Sequence, residues 1–219
     1  MLAILWKDLL LEARSRDSLP ALFVLGLAVL VVFDFSLALD PDEARRFAPG
    51  ILWVALVFAA GIALGKTFLV ERENGCLDGL LASPLDRGSL FLAKFLANTL
   101  LLVAFEALLL PATLLLYGLP LPGNLPALAA VLAGGAAGLA ATGTLFALAA
   151  HGTRAREVVL PLLVLPLQLP LLVAGVQATS MVLAGSGLLD LGVRGTLVAG
   201  YDVLAITMGW LLFEYVLVD

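Results

Sequence analysis

The feature that most constrains this chain is a succession of six long apolar stretches separated by short polar segments. A helix needs about 20 mostly apolar residues to cross a bilayer, and each stretch reaches that length. Helices are required there because lipid cannot satisfy backbone N–H and C=O groups. We therefore predict an all-α integral membrane protein that forms one domain over 1–219. The predicted spans are about 19–39, 48–70, 90–117, 126–150, 158–184 and 196–218.

The segment 1–18 has the pattern of an amphipathic helix rather than of another span. It is too highly charged for the apolar region of a cleavable signal peptide. We predict a helix that lies in the membrane interface with Trp6 at the depth of the lipid headgroups. Either it is a plain membrane anchor, or it also contacts a partner protein. The apolar positions at helical spacing are Leu2, Leu5, Trp6, Leu9 and Ala13.

The distribution of lysine and arginine predicts the orientation of the chain in its membrane. Of the 12 basic residues, nine lie in segments on the same side as the N-terminus, and the remaining ones are Arg45, Arg46 and Arg194. Basic residues accumulate in cytoplasmic loops. We therefore predict a multi-pass protein of the bacterial inner membrane with both termini in the cytoplasm, and a cytosolic loop over 71–89.

Composition excludes several classes of function. The hydrophobic fraction of 62% is above that of ordinary soluble domains, and no basic patch accompanies the net charge of −5, so no nucleic-acid partner is expected. Cys76 is the only cysteine and His151 the only histidine. We therefore expect no metal site, no catalytic residues and no cofactor bound by this chain.

The segment 60–67, AGIALGKT, resembles a loose phosphate-binding loop. Such a loop requires a strand, a turn and then a helix whose N-terminal amides face the phosphates. Here the motif sits near the end of an apolar run with no preceding turn, and Lys66 fits a residue that extends to the membrane surface. We therefore expect ATP to bind to a separate subunit.

The cytosolic loop carries the pattern of a short helix with one apolar face. Leu77, Leu80 and Leu81 follow i, i+3, i+4 spacing, after Gly75, which permits a turn, and before Pro84, which ends a helix. Such a helix can dock in a groove of a cytosolic ATPase and transmit its motion. The alternative is a tight loop that lies on the membrane surface. The candidate coupling residues are Glu71, Arg72, Glu73, Gly75, Leu77, Asp78, Leu80, Leu81 and Pro84.

The loop with its flanks, 68–94, resembles the second cytosolic loop of the CcmB family. Two further stretches agree with that family, RFAPGILWVA at 46–55 and the proline-rich VLPLLVLPLQLPLLV at 159–173. Asn74 and Cys76 depart from the acidic or small hydroxyl residues expected beside Gly75. The matching positions in the loop are Glu71, Glu73, Gly75, Leu77, Asp78, Leu80, Leu81, Pro84, Ala93 and Lys94.

The resemblance implies the membrane subunit of a haem-exporter-type ABC complex in cytochrome c maturation. It implies a separate CcmA-like ATPase, CcmC-like and CcmD-like membrane subunits, a CcmE-like haem chaperone, and haem as a possible cargo. Either haem itself is transferred, or the ATP cycle releases a loaded chaperone. Three alternatives stay open: an ABC-2 type exporter of another substrate, a proton-coupled membrane protein and a non-transporting scaffold.

The fifth predicted span contains three prolines, Pro161, Pro166 and Pro170. Each removes one backbone hydrogen bond and clashes with the preceding turn. We predict a kinked or partly unwound helix that faces other helices, with Gln168 and Gln177 available to satisfy the freed groups. The kink is either static or a hinge that bends during the ATP cycle.

Glu106 is a carboxylate about midway along the third span, where we expect it to face the interior or to be protonated. Together with Gln168 it is a candidate intramembrane polar residue, and it is the group around which a proton-coupled protein would be built. His151, at the end of the fourth span, is either a solvated loop residue or an axial haem ligand.

Two pairs of glycines have the spacing at which helices pack closely. Gly134 and Gly138 lie in the fourth span, and Gly61 and Gly65 in the second. Each pair serves either packing within one bundle or the seam of a homodimer.

Overall fold

The computed structural model of the protein describes residues 1–15, 18–68, 87–149 and 156–216. These residues form a helical bundle without strands. A single turn of 3-10 helix, Leu188–Leu191, precedes the last helix. The helices are α1 Leu2–Ser15, α2 Ser18–Leu37, α3 Pro41–Gly65, α4 Arg87–Leu116, α5 Leu125–Ala149, α6 Arg156–Leu183 and α7 Val193–Val216.

Helices α2 to α7 are long and apolar enough to cross a membrane, so six candidate spans lie in the described residues. The prediction of an all-α membrane protein with six spans is confirmed. The spans run alternately up and down, so the start of α2, the end of α3 and the start of α4 share one side. We call this the N-terminal side and the other the opposite side.

Helix α3 begins at Pro41, earlier than the apolar stretch that predicted it. Asp40 Oδ1 accepts the backbone N–H groups of Asp42 and Glu43 at 2.9 and 2.8 Å. In return, Glu43 Oε2 accepts the backbone N–H of Asp40 at 3.2 Å. This capping box satisfies N–H groups that the first turn leaves without helical partners. The first turn of α3 is therefore polar and exposed, before the apolar part of the helix begins.

Helix α1 packs on α4 rather than crossing the membrane. Ile4 is buried against the bundle, whereas Trp6 is 64% exposed on the outer side. This division agrees with an amphipathic helix whose exposed aromatic side chain meets the membrane interface. The mode of packing also places a charged residue of α1, Asp8, against the spans.

Helix α5 occupies the centre of the bundle, with α3, α4, α6 and α7 packed around it. Its small residues let large neighbours approach. A Cβ atom on Gly135, or on Gly175 of α6, would overlap the ring of Trp53. Trp53 is 1% exposed, and its Nε1–H donates to Thr179 Oγ1 at 2.9 Å. The indole therefore fills the space between α3, α5 and α6.

The prolines of α6 do not interrupt the helix, which continues from Arg156 to Leu183. Helix α6 packs on α3, α5 and α7, but Pro166 and Pro170 lie on its exposed side. Each proline frees the carbonyl one turn earlier on its own face. Pro170 therefore frees the carbonyl of the exposed Pro166, and Pro161 lies in the part of α6 whose side chains are not described.

The two glutamines of α6 form hydrogen bonds with neighbouring helices rather than with the carbonyls that the prolines free. Gln168 is buried, and its Nε2 donates to Thr142 Oγ1 of α5 at 3.0 Å. Gln177 Oε1 accepts from Arg194 Nε of α7 at 3.1 Å. Both side chains therefore join α6 to its neighbours.

The two glycine pairs have different surroundings. Side chains of α7 fill the space beside Gly134 and Gly138. The pair in α5 therefore serves packing within the bundle. On α3, a Cβ placed on Gly61 would meet no atom of another helix among the described residues.

Candidate coupling site at the base of the 69–86 segment

The predicted coupling residues, from Glu71 to Pro84, lie outside the described residues, and so does His151. The structure describes the two places where that segment joins the bundle, Phe68 after α3 and Arg87 at the start of α4. Side chains from four helices and from the turn after α3 meet at these two points. We call this cluster the loop base; it comprises Asp8, Thr67, Phe68, Phe91, Lys94, Phe95, Asn98, Thr144 and Phe213.

Lys94 lies at the centre of the loop base and is only 3% exposed. Its Nζ atom is 3.0 Å from Asp8 Oδ2 of α1 and donates to the backbone oxygen of Thr67 at 3.2 Å. The same ammonium group lies 5.4 Å from the centre of the Phe68 ring. A buried cation is tolerated when a carboxylate, a carbonyl and an aromatic face replace its water. Lys94 thereby joins α1 and the end of α3 to α4.

One helical turn further along α4, Asn98 forms a second connection. Its Nδ2 donates to Thr67 Oγ1 at 3.1 Å and to Thr144 Oγ1 of α5 at 2.9 Å. Asn98 and Thr144 are both buried. Because a buried amide that loses its partners is costly, these bonds hold the end of α3 in a defined position against α4 and α5.

Aromatic side chains join the loop base to the end of α7. The ring of Phe213 lies 6.3 Å from that of Phe68 and 5.5 Å from that of Phe91, and Phe91 stacks on Phe95 at 6.1 Å. These separations are within the range of favourable aromatic pairs. A Cβ atom on Gly209 of α7 would overlap the Phe91 ring. The start of α4 and the end of α7 are therefore in close contact.

The loop base can transmit a displacement because its contacts are short, buried and shared by several helices. A force on the 69–86 segment acts first on Phe68 and Arg87. The contacts of Lys94 connect these points to α1 and α4, those of Asn98 connect them to α5, and those of Phe213 connect them to α7. Packed protein interiors shift as discrete units rather than deforming continuously.

The sequence resemblance singled out Lys94, but not its role, and neither Asp8 nor Asn98 was a candidate. A signal for them exists in the chain. Asp8 stands between Leu5 and Leu9 on the apolar face of α1, and Lys94 stands within the apolar run LFLAKFLAN. A charge on an apolar face requires a partner of opposite charge. That Asp8 pairs with Lys94 follows only from the packing of α1 on α4.

The intramembrane polar residues lie away from the loop base. Glu106 is 4% exposed, and its Oε1 atom has no hydrogen-bond partner in the described part of the chain. Gln168 binds Thr142, as described above. A second carboxylate inside the membrane, Asp202 of α7, escaped the sequence analysis. Within the residues that the structure describes, no group of three or more His, Cys, Asp and Glu is arranged to hold a metal ion.

The chain is a multi-pass membrane protein. It has six helices long and apolar enough to span the membrane, an amphipathic helix packed on them, and a polar junction at the base of the 69–86 segment. Comparison with known sequences narrows that class. The sequence profile of the CcmB protein family matches residues 1–214. The chain therefore belongs to the CcmB family.

Similar proteins carry the name heme exporter protein B. That of Paracoccus denitrificans is 33% identical over 186 residues, which cover 85% of each chain. That of Rhodobacter capsulatus is 30% identical over 177 residues, or 81% of each chain. The Escherichia coli protein is 35% identical over 72 residues, a third of each chain. The resemblance found in the loop and the proline-rich span is thus confirmed at the level of the family.

Proposed function

We propose that this chain is the membrane subunit of an ABC complex that serves haem export or delivery in the biogenesis of c-type cytochromes. Membership of the CcmB family and the name of its relatives support the haem-related role. The ATP is hydrolysed by a separate CcmA-like subunit, and this chain is not an enzyme. The nine basic residues on the N-terminal side favour a bacterial inner membrane with both termini in the cytoplasm.

The observation that carries the proposal is the buried Lys94 at the junction of α1, α3 and α4. In the proposed mechanism, the apolar face of Leu77, Leu80 and Leu81 docks into a groove of the ATPase. Closure of the ATPase then moves the 71–84 helix. The loop base transmits that movement to α1, α4, α5 and α7.

The filled centre of the bundle favours release of a loaded haem chaperone over passage of haem through a single copy of this chain. Trp53 occupies the space between α3, α5 and α6 and is held there by Thr179. In this scheme the chain exerts force on CcmC-like and CcmD-like neighbours, and a CcmE-like chaperone leaves with haem. Haem is then cargo of the complex rather than a ligand of this subunit.

We further propose that two copies of this chain meet through the outer faces of α3 and α6. The two helices pack against each other, so their outer faces are adjacent. On α3, Phe58 and Ile62 are exposed on either side of Gly61. On α6, Pro166 and Pro170 are exposed, and Pro170 leaves the carbonyl of Pro166 without a helical partner. A second copy would bury this surface, bring the proposed hinge to the seam and double the number of coupling helices.

The direct test replaces both Leu77 and Leu80 with Asp and measures the ATPase that co-purifies, together with mature c-type cytochrome. We expect both to fall severely because two carboxylates cannot enter an apolar groove. The matched control is Leu189→Asp, a 97% exposed leucine on the opposite side. Undiminished ATPase recovery and cytochrome in the double variant would contradict the proposed coupling.

A separate assay distinguishes this function from an ABC-2 exporter of another substrate. Deletion of the gene should cause loss of mature c-type cytochrome and accumulation of chaperone that retains its haem. A deletion strain with normal amounts of both would exclude the cytochrome role. If haem failed to reach the chaperone at all, haem transfer rather than chaperone release would be the function.

A further inference from the structure

The seam between α5 and α7 contains a carboxyl group inside the membrane. Asp202 lies near the middle of α7. A Cβ atom placed on Gly138 would lie 2.6 Å from Asp202 Oδ1, and one placed on Gly134 would lie 3.3 Å from Oδ2. The carboxyl group therefore occupies the space that a side chain at either position would take, directly against the backbone of α5.

One oxygen of this carboxyl group lacks a partner. Asp202 Oδ1 is buried and has no hydrogen-bond partner in the described residues. The Tyr201 ring lies beside Gly138, whose carbonyl accepts the Thr142 hydroxyl at 2.9 Å. Gln168 of α6 donates to the same hydroxyl at 3.0 Å.

No cation faces Asp202 from the described parts of the helices around it. The groups that meet it from α5 are Gly134 and Gly138, and Leu171 of α6 lies beside Gly138; none of these titrates. On α7 itself the adjacent titratable group is Tyr201. Arg194 binds Gln177 and lies about 12 Å further along the helix axis. Helix α4 meets α7 through Gly88 against Trp210 and Phe91 against Gly209, about 10 Å away in the other direction.

We propose that Asp202 is a proton-binding site within the membrane and that its proton keeps the α5–α7 seam closed. A carboxylate inside the membrane whose Oδ1 is buried without a donor is disfavoured, and binding a proton removes the charge. When the proton leaves, it passes to water that enters the seam, and the carboxylate keeps the electron pair of the O–H bond. The charged group then requires water, so it must move off the two glycines and loosen α7 from α5.

The site is independent of the function proposed above. It also lies in the helix whose end contacts the loop base, because Phe213 packs on Phe68 and Phe91. A change at Asp202 would therefore alter the same helix that the coupling segment is proposed to move. The proton would act on α7 from the membrane interior, and the ATPase from the N-terminal side.

The test treats the full-length protein in native membrane vesicles with dicyclohexylcarbodiimide, a lipid-soluble reagent that modifies protonated carboxyl groups. The adduct at each carboxyl is then measured by mass spectrometry. A carboxyl group in water with a pKa near 3.9 is about 0.1% protonated at pH 7. We therefore expect modification of Asp202 at pH 7 to exceed that of the exposed Asp190 by at least about tenfold, and to fall at higher pH. Equal modification of the two would overturn the proposal.

Three controls make the result specific. Asp202→Asn keeps the shape of the side chain and should abolish the adduct in the peptide that contains it. Glu106→Gln should leave the adduct at Asp202 unchanged, because Glu106 is not among the groups that face this site. The third control is excess Na⁺ at constant pH. If Na⁺ protected Asp202 from the reagent, the site would bind a monovalent cation, and the proposal of a proton site would be overturned.

A second variant tests whether the proton closes the seam. Val198 is buried and lies 3.0 Å from a Cβ placed on Gly134, so Val198→Cys reports access to the seam. The experiment uses a Cys76→Ser background, so that the new cysteine is the only thiol. At high pH, we expect this thiol to react with a small thiol reagent several-fold faster in the protein with Asp202 than in the Asp202→Asn variant. Equal rates at every pH would overturn the claim that ionisation opens the seam.

Discussion

Lys94 shows how one residue can join elements that are distant in the chain. Its ammonium group replaces lost water with the Asp8 carboxylate, the Thr67 carbonyl and the Phe68 ring. Replacing such a pair as a whole costs little, whereas removing one partner leaves an uncompensated buried charge. The Asp8–Lys94 pair therefore contributes more to fixing the positions of α1 and α4 relative to each other than to the stability of the protein.

Removing Lys94 alone should destabilise the protein more than removing both members of the pair. We expect Lys94→Met to cost about 3 kcal/mol in the free energy of unfolding, and Asp8→Asn with Lys94→Met to recover part of that loss. Thermal unfolding of the solubilised protein measures the difference. Lys7, which is 42% exposed and also contacts Asp8, is the control, and Lys7→Met should cost at most about 1 kcal/mol. Strictly additive effects of the two substitutions at 8 and 94 would contradict direct pairing.

Trp53 provides a second test at the scale of one side chain. Trp53→Phe removes the N–H that binds Thr179 and leaves a fully buried hydroxyl without that donor. We expect a loss of about 2–4 kcal/mol in the free energy of unfolding, because the hydrogen bond is lost and the smaller ring leaves part of the buried space empty. Thr179→Val combined with Trp53→Phe should cost less than the sum of the two single changes. If the double variant loses the full sum, the two side chains do not act as a pair.

At the scale of the helix, periodicity and length predict the spans well because lipid imposes both. Periodicity and length predict less well where each helix begins and ends. The capping box of Asp40 and Glu43 starts α3 among polar residues that hydropathy assigns to a loop. The prolines of α6 show a different limit, because the sequence locates the missing hydrogen bonds but not the face on which they lie. That face depends on how α6 rotates against α3 and α5.

Close packing of α5 against α7 predicts that two glycines respond oppositely to substitution. A Cβ on Gly138 would lie 2.6 Å from both Asp202 Oδ1 and Leu171 Cδ2, so Gly138→Ala should destabilise the protein by about 1–3 kcal/mol. A Cβ placed on Gly200 would meet no atom of another helix in the described residues, and there Ala should be neutral or stabilise by up to about 1 kcal/mol through helix propensity. Thermal unfolding midpoints of the two variants provide the comparison. Equal midpoints would show that α5 and α7 are not in close contact.

At the scale of the whole molecule, the sequence predicts that six helices cross the membrane and which family they belong to. It does not predict which surfaces remain open, because that requires the packing of all six. The exposed Phe58 and Ile62 of α3 and the exposed prolines of α6 identify one such surface. Asp202 was missed for the same reason: an isolated carboxylate becomes informative only when its neighbours on α5 are known.

The proposed homodimer predicts selective cross-linking in membranes. In a Cys76→Ser background, Phe58→Cys on α3 and Val173→Cys on α6 should form covalent dimers with a short bifunctional thiol reagent. Val203→Cys on the outer face of α7 is the matched control, since Val203 is 66% exposed and lies outside the proposed seam. Dimer bands on a non-reducing gel measure the outcome. Equal dimer from the α7 control, or none from the other two variants, would contradict this seam.

The central claim, that a cytosolic ATPase acts on the segment between α3 and α4, can be tested on the native chain through Cys76, its only cysteine. A membrane-impermeant maleimide should label Cys76 in inside-out vesicles and not in intact cells. Bound ATPase subunit should protect it from the reagent. Labelling of Cys76 from outside intact cells would place the segment beyond the reach of any cytosolic ATPase and contradict the account.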